Sequence, residues 1–464
     1  MSATHALPEP TGATRMHEVS PEMLTMIDRV IDYSRRRLIF DVPLDKPLPL
    51  KEFRRLAPGS ICEDGIGSER ALAMFEGVLA PACVSTDSPS NLAFIPSAPT
   101  KAAVSFDMVV SASSVFGGSW LDGAGAVYAE NEVLAFLARE FGLPETAGGA
   151  FMQGGTIGNL SALVTARDAH RRRLTESGNE LPSRWVLICS AETHSSVVSA
   201  AQVMDVDVVT APVDDLGRLS GEAVEAALAE YGDAVVAVVA TAGSTNLGIV
   251  DDIASIAELK QRYDFWLHID GAYGLAAALV PAMRERFNGI DAADSLIVDP
   301  HKWLFAPFDA CALLYREPQL ARIAHTQKAG YLDTLEGDDW NPSDYGIHLS
   351  RRARGLPLWF SLATYGAGAY RTAIEQCITT AHAIAERVRQ HPNLELVREP
   401  DLSVVAFRRI GWDLADYERW SERMLDEQLA FVTPSSHRGE PIMRFAIVNP
   451  GTTVELAQQL IDTM

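Results

Sequence analysis

Leu296-Ile297-Val298-Asp299-Pro300-His301-Lys302-Trp303 reads as a short apolar strand that runs into a polar turn. Its apolar residues are continuous rather than alternating, the mark of a strand covered on both faces. Asp299, His301 and Lys302 therefore fall at the carboxyl end of a buried strand.

The same pattern recurs outward in both directions. The apolar runs Ala150–Gln153, Trp185–Cys189, Val206–Thr210, Val235–Thr241, Phe265–Ile269 and Cys311–Tyr315 alternate with amphipathic stretches such as Leu160–Leu174, Gly221–Tyr231 and Ile253–Tyr263. Buried strands separated by helices predict an α/β fold with a mostly parallel seven-stranded sheet. The pattern assigns residues 100–355 to one large α/β domain. Residues 1–99 read as a loose arm and short helices, because Met23, Met26, Ile27, Val30 and Ile31 are spaced by three and four. A long helical pattern from Leu356 through Val388 precedes strand candidates at Leu394–Val397, Ser403–Arg408 and Met443–Ile447. This predicts a small C-terminal α+β domain over 356–464.

Composition excludes several functions. With 464 residues, 47% hydrophobic and 22% charged, the chain has the balance of a soluble globular enzyme. Apolar runs such as Ala234–Ala242 fall far short of the roughly 20 residues that a membrane span needs. The start of the chain lacks a signal-peptide pattern, so a cytoplasmic protein is expected. A net charge of −22 argues against nucleic acid and acidic membranes as partners. The five cysteines are dispersed without a CxxC pair, which supports neither a disulfide framework nor a metal cluster. Cys189 and Cys311 lie in strand-like runs as inert core thiols.

Ligands of open α/β sheets sit beyond the strands' carboxyl ends, so the residues that follow each strand carry the chemistry. Gly154-Gly155-Thr156-Ile157-Gly158-Asn159 follows the first run and opens a helix. That is the form of a phosphate cradle and equally of an ordinary strand-to-helix turn. Asp270 follows Phe265–Ile269 and could pair with a cationic ring nitrogen or simply cap a helix. Lys302 suits Schiff-base chemistry if apolar surroundings depress its pKa. His194 could lie flat on an aromatic cofactor or cap a loop, and Thr245 ends a further strand. Singly these signals are modest. Together they supply the phosphate anchor, carboxylate and amine that pyridoxal 5′-phosphate (PLP) requires.

Asp299-Pro300-His301-Lys302-Trp303, the 32 positions separating Asp270 from Lys302, Ala129-Glu130-Asn131-Glu132, Ser350-Arg351-Arg352-Ala353-Arg354 and Arg444-Phe445 resemble the group II PLP-dependent amino-acid decarboxylases. That family includes the aromatic-amino-acid, glutamate and histidine decarboxylases, and the resemblance runs from about residue 90 to 450. It implies the fold type I, aspartate-aminotransferase-like architecture and a homodimer with shared active sites. It also implies decarboxylation of an L-amino acid to the amine and CO₂ through a Lys302 Schiff base. By the same resemblance Asp270 pairs with the ring nitrogen, His194 stacks on the ring and Ala272 contacts its other face. Gly155, Thr156, the Ile157 backbone, Asp299 and His301 surround the phosphate, and Thr245 lies near the ring.

The substrate pocket implied by the family falls on Phe94, Ile95 and Pro96, with Phe116 and Gly118 as the partner subunit's wall and Arg354 beside it. Ile95 and Gly118 stand where aromatic-specific members carry bulkier rings, which predicts a wider but still apolar pocket. An apolar or aromatic amino acid is expected. In the family a loop tyrosine protonates the product carbon. The matching span, Asp333–Ser350, offers Tyr345, as a displaced catalytic equivalent or as a structural aromatic. Members without that tyrosine release an aldehyde by oxidative deamination, so an aldehyde synthase, or an aminotransferase on the same fold, is the alternative activity.

Overall fold

The computed structural model describes residues 16–327 and 339–464. The first part of the Asp333–Ser350 span, through 338, lies outside the described residues, as does the arm before residue 16.

Seven strands form the main sheet: β1 (Gly148–Met152), β2 (Val186–Ser190), β3 (Asp207–Ala211), β4 (Val235–Thr241), β5 (Trp266–Asp270), β6 (Ser295–Val298) and β7 (Cys311–Tyr315). Their order is β1-β7-β6-β5-β4-β2-β3. β4 and β7 coincide with the runs expected from sequence, and the other five shift by one or two residues. β7 runs antiparallel to both its neighbours, β1 and β6, while the remaining pairs are parallel. Every residue of β1, β2 and β4–β7 is buried, whereas the edge strand β3 is only partly covered. This is why the central strands are runs of Val, Ile, Leu and Ala. Burying each of the larger side chains contributes about 1.5–3 kcal/mol.

The helix Gly155–Glu176 lies across β4 to β7 and presents its N-terminus at the carboxyl ends of β4–β6 and the amino end of the antiparallel β7. A second, antiparallel sheet contains β8 (Leu394–Leu396), β9 (Val404–Arg409), β10 (Pro434–His437) and β11 (Glu440–Ala446) in the order β10-β11-β9-β8. The edge strand β10 escaped the sequence reading because Pro-Ser-Ser-His carries no apolar signal. The helix Leu356–Gln390 breaks at Gly366, whose φ of +73° suits a residue without Cβ. One hydrophobic core runs from Leu92 through both sheets to Ile461. Tyr273 and Ser403 join their hydroxyls at 2.6 Å within it.

Near the start, Ser20 caps the helix Pro21–Ile39 by accepting the Met23 N–H at 3.2 Å. This helix buries none of its residues, and Leu24, Met26, Ile27, Val30 and Ile31 stand exposed along it. Among the described residues, no helix is long and apolar enough to cross a membrane.

Candidate active site

Five strand ends converge on one cleft of about 220 Å³. β1 leads into Gly154, whose φ of +84° turns the chain into the helix Gly155–Glu176. β5 ends on Asp270, β4 on Thr241, and β6 on the turn that carries Asp299, His301 and Lys302. β2 leads to His194, which caps the helix Ser195–Met204 by accepting the Ser196 N–H on Nδ1. Gln153, Gly155, Thr156, His194, Thr245, Asp270, Ala272, Asp299, His301 and Lys302 all line the cleft.

Asp299 is the hub of the floor. Its Oδ2 stands 3.1 Å from Lys302 Nζ and accepts the Gly155 N–H at 3.2 Å. A Cβ on Gly155 would lie 3.0 Å from that oxygen, so glycine permits the approach. His301 donates from Nδ1 to the Ala310 carbonyl at 2.7 Å, which turns its Nε2 toward Asp299 at 3.8 Å. Each oxygen of Asp270 accepts one hydrogen bond: Oδ1 from the Ala272 N–H at 3.2 Å and Oδ2 from Asn159 Nδ2 at 2.9 Å.

Burial opposes the charge on Lys302, but the carboxylates of Asp299 and Asp270 outweigh it and hold the amine above the ordinary lysine range. This reverses the depressed pKa expected from the apolar neighbours of the lysine in sequence. The thiols behind the cleft are buried, as expected of core residues. Burial pushes Cys189 up to about 11 and Cys311 well above the usual thiol range.

The cleft fits PLP. Three buried polar atoms of its lining residues, Gln153 Oε1, Thr241 Oγ1 and Asp299 Oδ1, have no hydrogen-bond partner among the described residues. Orphaned acceptors and hydroxyls of this kind are costly unless a ligand or water meets them. They stand beside a buried amine, a carboxylate and a helix N-terminus, which match the aldehyde, ring nitrogen and phosphate of that cofactor.

Several residues singled out in the sequence stand elsewhere. Ile157 does not line the cleft, and its N–H is spent on the Gly154 carbonyl at 3.2 Å. Phe94, Ile95, Pro96, Phe116, Gly118 and Arg354 are likewise absent from its walls. Phe94 is 53% exposed and Ile95 is buried. A Cβ on Gly118 would meet the Phe116 ring at 2.5 Å and the Leu349 carbonyl at 2.9 Å. Arg354 pairs with Asp309 at 2.8 Å, and Asp309 reaches the cleft. Tyr345 is buried and stacked on Trp340 with ring centroids 4.1 Å apart, and burial pushes its hydroxyl up to about 12. The structure does not bring it to the site.

Sequence reasoning passed over Asn159, Ser196, Thr241 and Gln153. Asn159 carried a signal: an asparagine inside a helix is unfavourable unless its amide is used.

Residues 51–410 match the model of the family described as "Pyridoxal-dependent decarboxylase conserved domain". Over 451 residues the chain is 30% identical to the aromatic-L-amino-acid decarboxylase of Bacillus atrophaeus, covering 94% of this chain and 92% of that protein. It is also 30% identical to the L-2,4-diaminobutyrate decarboxylase of Rhizobium meliloti (strain 1021), over 78% of this chain and 74% of that one. Among solved structures, Oryza sativa TDC with PLP and tryptamine superposes with a TM-score of 0.86 at 23% identity, covering 98% of this chain and 97% of that one.

Proposed function

Since the chain belongs to the pyridoxal-dependent decarboxylase family, and is an amino-acid carboxy-lyase with PLP as cofactor, we propose that it acts on an L-amino acid with an apolar or aromatic side chain, as a cytoplasmic homodimer. The observation that carries the side-chain preference is electrostatic. No arginine lines the cleft among the described residues, and Arg354 at its mouth is neutralised by Asp309. An acidic side chain would find no free guanidinium there.

Two features support the dimer. The apolar face of the helix Pro21–Ile39 is uncovered among the described residues of one chain. Among the described residues Phe94 and Phe116 are exposed and do not line the cleft, as expected of residues that complete a partner's pocket.

In this reading Lys302 holds the cofactor's aldehyde and Asp270 faces its ring nitrogen, while His194 and Ala272 flank the ring. Gly155, Thr156 and His301 take the phosphate end. The bound cofactor supplies a sink for the electron pair left when the α-carboxylate departs as CO₂. Asp299 Oδ2, 3.1 Å from the Lys302 amine, holds that amine in place and favours its protonated form. The buried residues Ala272 and Tyr273 keep water from that wall. His194 and Lys302 are the cleft's proton carriers on the substrate side.

The test is CO₂ release across the standard L-amino acids, with products identified by mass spectrometry under air. Amines from aromatic and large apolar substrates are expected. Preferred turnover of glutamate or aspartate would overturn the side-chain preference, and aldehyde as main product would assign oxidative deamination instead. Light scattering should return twice the 50.4 kDa chain mass, and a monomer would refute the dimer.

A further inference from the structure

Asn159 stands at the start of the second turn of the helix Gly155–Glu176 and is 1% exposed. Every polar atom of its amide is used. Nδ2 donates to Asp270 Oδ2 and to Ser196 Oγ, each at 2.9 Å, while Oδ1 faces His268 Nε2 at 2.8 Å. Beyond these contacts, Ser196 Oγ lies 2.8 Å from His194 Nδ1, and His268 Nδ1 lies 2.8 Å from Ser295 Oγ. Trp266 donates its indole N–H to that same Ser295 oxygen at 2.8 Å.

The chemistry of these groups gives the chain a direction. A carboxamide oxygen can only accept, so the proton between His268 and Asn159 sits on Nε2. Burial pulls His268 down to about 4, which makes the ring neutral near pH 7 and leaves Nδ1 bare. The bare nitrogen must accept from Ser295, whose oxygen accepts in turn from Trp266. Donation therefore runs Trp266, Ser295, His268, Asn159, and forks at the amide. One branch ends on Asp270. The other passes through the Ser196 hydroxyl to His194.

We propose that Asn159 is a positioning residue that ties the carboxylate of Asp270 to the imidazole of His194, with His268 locking its amide in the one orientation that serves both. This rests on the reading that Asp270 and His194 bracket the cofactor. Reversing the amide would turn Oδ1 toward the Asp270 carboxylate and break both branches at once. The ring-nitrogen partner and the stacking group are thus set by one side chain rather than separately.

The test uses the full-length protein. Cofactor-free protein is titrated with PLP, and affinity is read from the visible band. Asn159→Asp keeps the size, removes the donors and sets a second carboxylate against Asp270. Its PLP affinity should fall at least about tenfold and its visible band should shift, with the melting temperature of the cofactor-free protein close to wild type. Ser196→Ala cuts only the His194 branch, so it should lower kcat while its PLP affinity stays within about threefold of wild type. A folded Asn159→Asp protein with wild-type affinity and an unshifted band would overturn the proposal. If that variant does not fold, ¹⁵N NMR of the wild-type holoenzyme decides: His268 must carry its proton on Nε2, and a proton on Nδ1 instead overturns the direction. A wild-type chain that develops no visible band dependent on Lys302 would fail at the earlier step, the reading of the cleft itself.

Discussion

Arg351 and Glu130 form an ion pair sealed from water: their charged atoms stand 2.8 Å apart and the side chains are 0% and 2% exposed. The pair fastens three elements. Glu130, in the helix Trp120–Glu140, accepts the Gly355 N–H at 2.7 Å where the helix Leu356–Gln390 begins. Arg351 donates to the Phe151 carbonyl of β1 at 3.2 Å and to the carbonyl of Gly117.

Removing one member of such a pair strands the other charge in a dry interior. Arg351→Ala should cost about 3–5 kcal/mol of stability, read as a lower urea midpoint. A loss below about 1 kcal/mol would show that water reaches Glu130 in solution.

Arg444 links the cleft to the Phe94 segment. Its guanidinium donates to the Thr245 carbonyl at 3.0 Å and to the Ala93 carbonyl at 2.6 Å. Burial holds its pKa below the ordinary arginine value. Lysine cannot span both carbonyls from one point charge. Arg444→Lys should raise KM about five- to tenfold with a smaller change in kcat, the signature of lost ground-state positioning. A fall in kcat at constant KM would place the effect on the chemical step instead.

Two buried histidines make the fold sensitive to acid. Burial lowers both His268 and His348 to about 4, whereas an unfolded histidine titrates near about 6.5. Between those values the unfolded chain binds more protons, so their contribution is complete above about pH 6.5 and is lost as the pH falls toward 4. Asp251, pushed up to about 7 by burial, works in the opposite direction over the same window. The clean measurement is therefore a comparison with His348→Leu, because neither ring nitrogen of His348 has a partner among the described residues. Melting curves from pH 7.5 to 4.5 should fall less steeply for the variant. Parallel curves would show that His348 does not titrate there.

Thiol labelling should separate surface from core. Cys62 and Cys83 are exposed, while Cys189, Cys311 and Cys377 are buried with pKa values raised by that burial. With maleimide at neutral pH the folded chain should take up at most two labels, Cys62 first, and all five in denaturant. Rapid labelling of Cys311 in the folded protein would mean that the cleft floor opens.

The sheet was readable because burial on both faces forces continuous apolar runs, and the strand ends then located Asp270, Lys302 and His194 without further help. The charge state of Lys302 was misread, since its apolar sequence neighbours suggested desolvation while Asp299 and Asp270 together outweigh it. Gly118 stands against the Phe116 ring and the Leu349 carbonyl, contacts that only the fold reveals. Tyr345 was ambiguous because a tyrosine in a loop resembles a catalytic one until its ring is seen stacked on Trp340. Asn159 was missed because its partners, Asp270, Ser196 and His268, are distant in sequence and only the fold gathers them.

The placement of β7 has a consequence for biosynthesis. β7 joins β1 to the rest of the sheet, with Met152 opposite Cys311 on one side and Val298 opposite Ala312 on the other. During translation β1 thus has no sheet partner until the chain past Tyr315 has emerged from the ribosome. The glycine turn after β1 and the lysine turn after β6 meet only at that moment, when a long loop closes. A nascent chain halted before that point would carry Lys302 but no finished cleft. Cofactor capture should accordingly be a late event, following synthesis of the main sheet rather than guiding it.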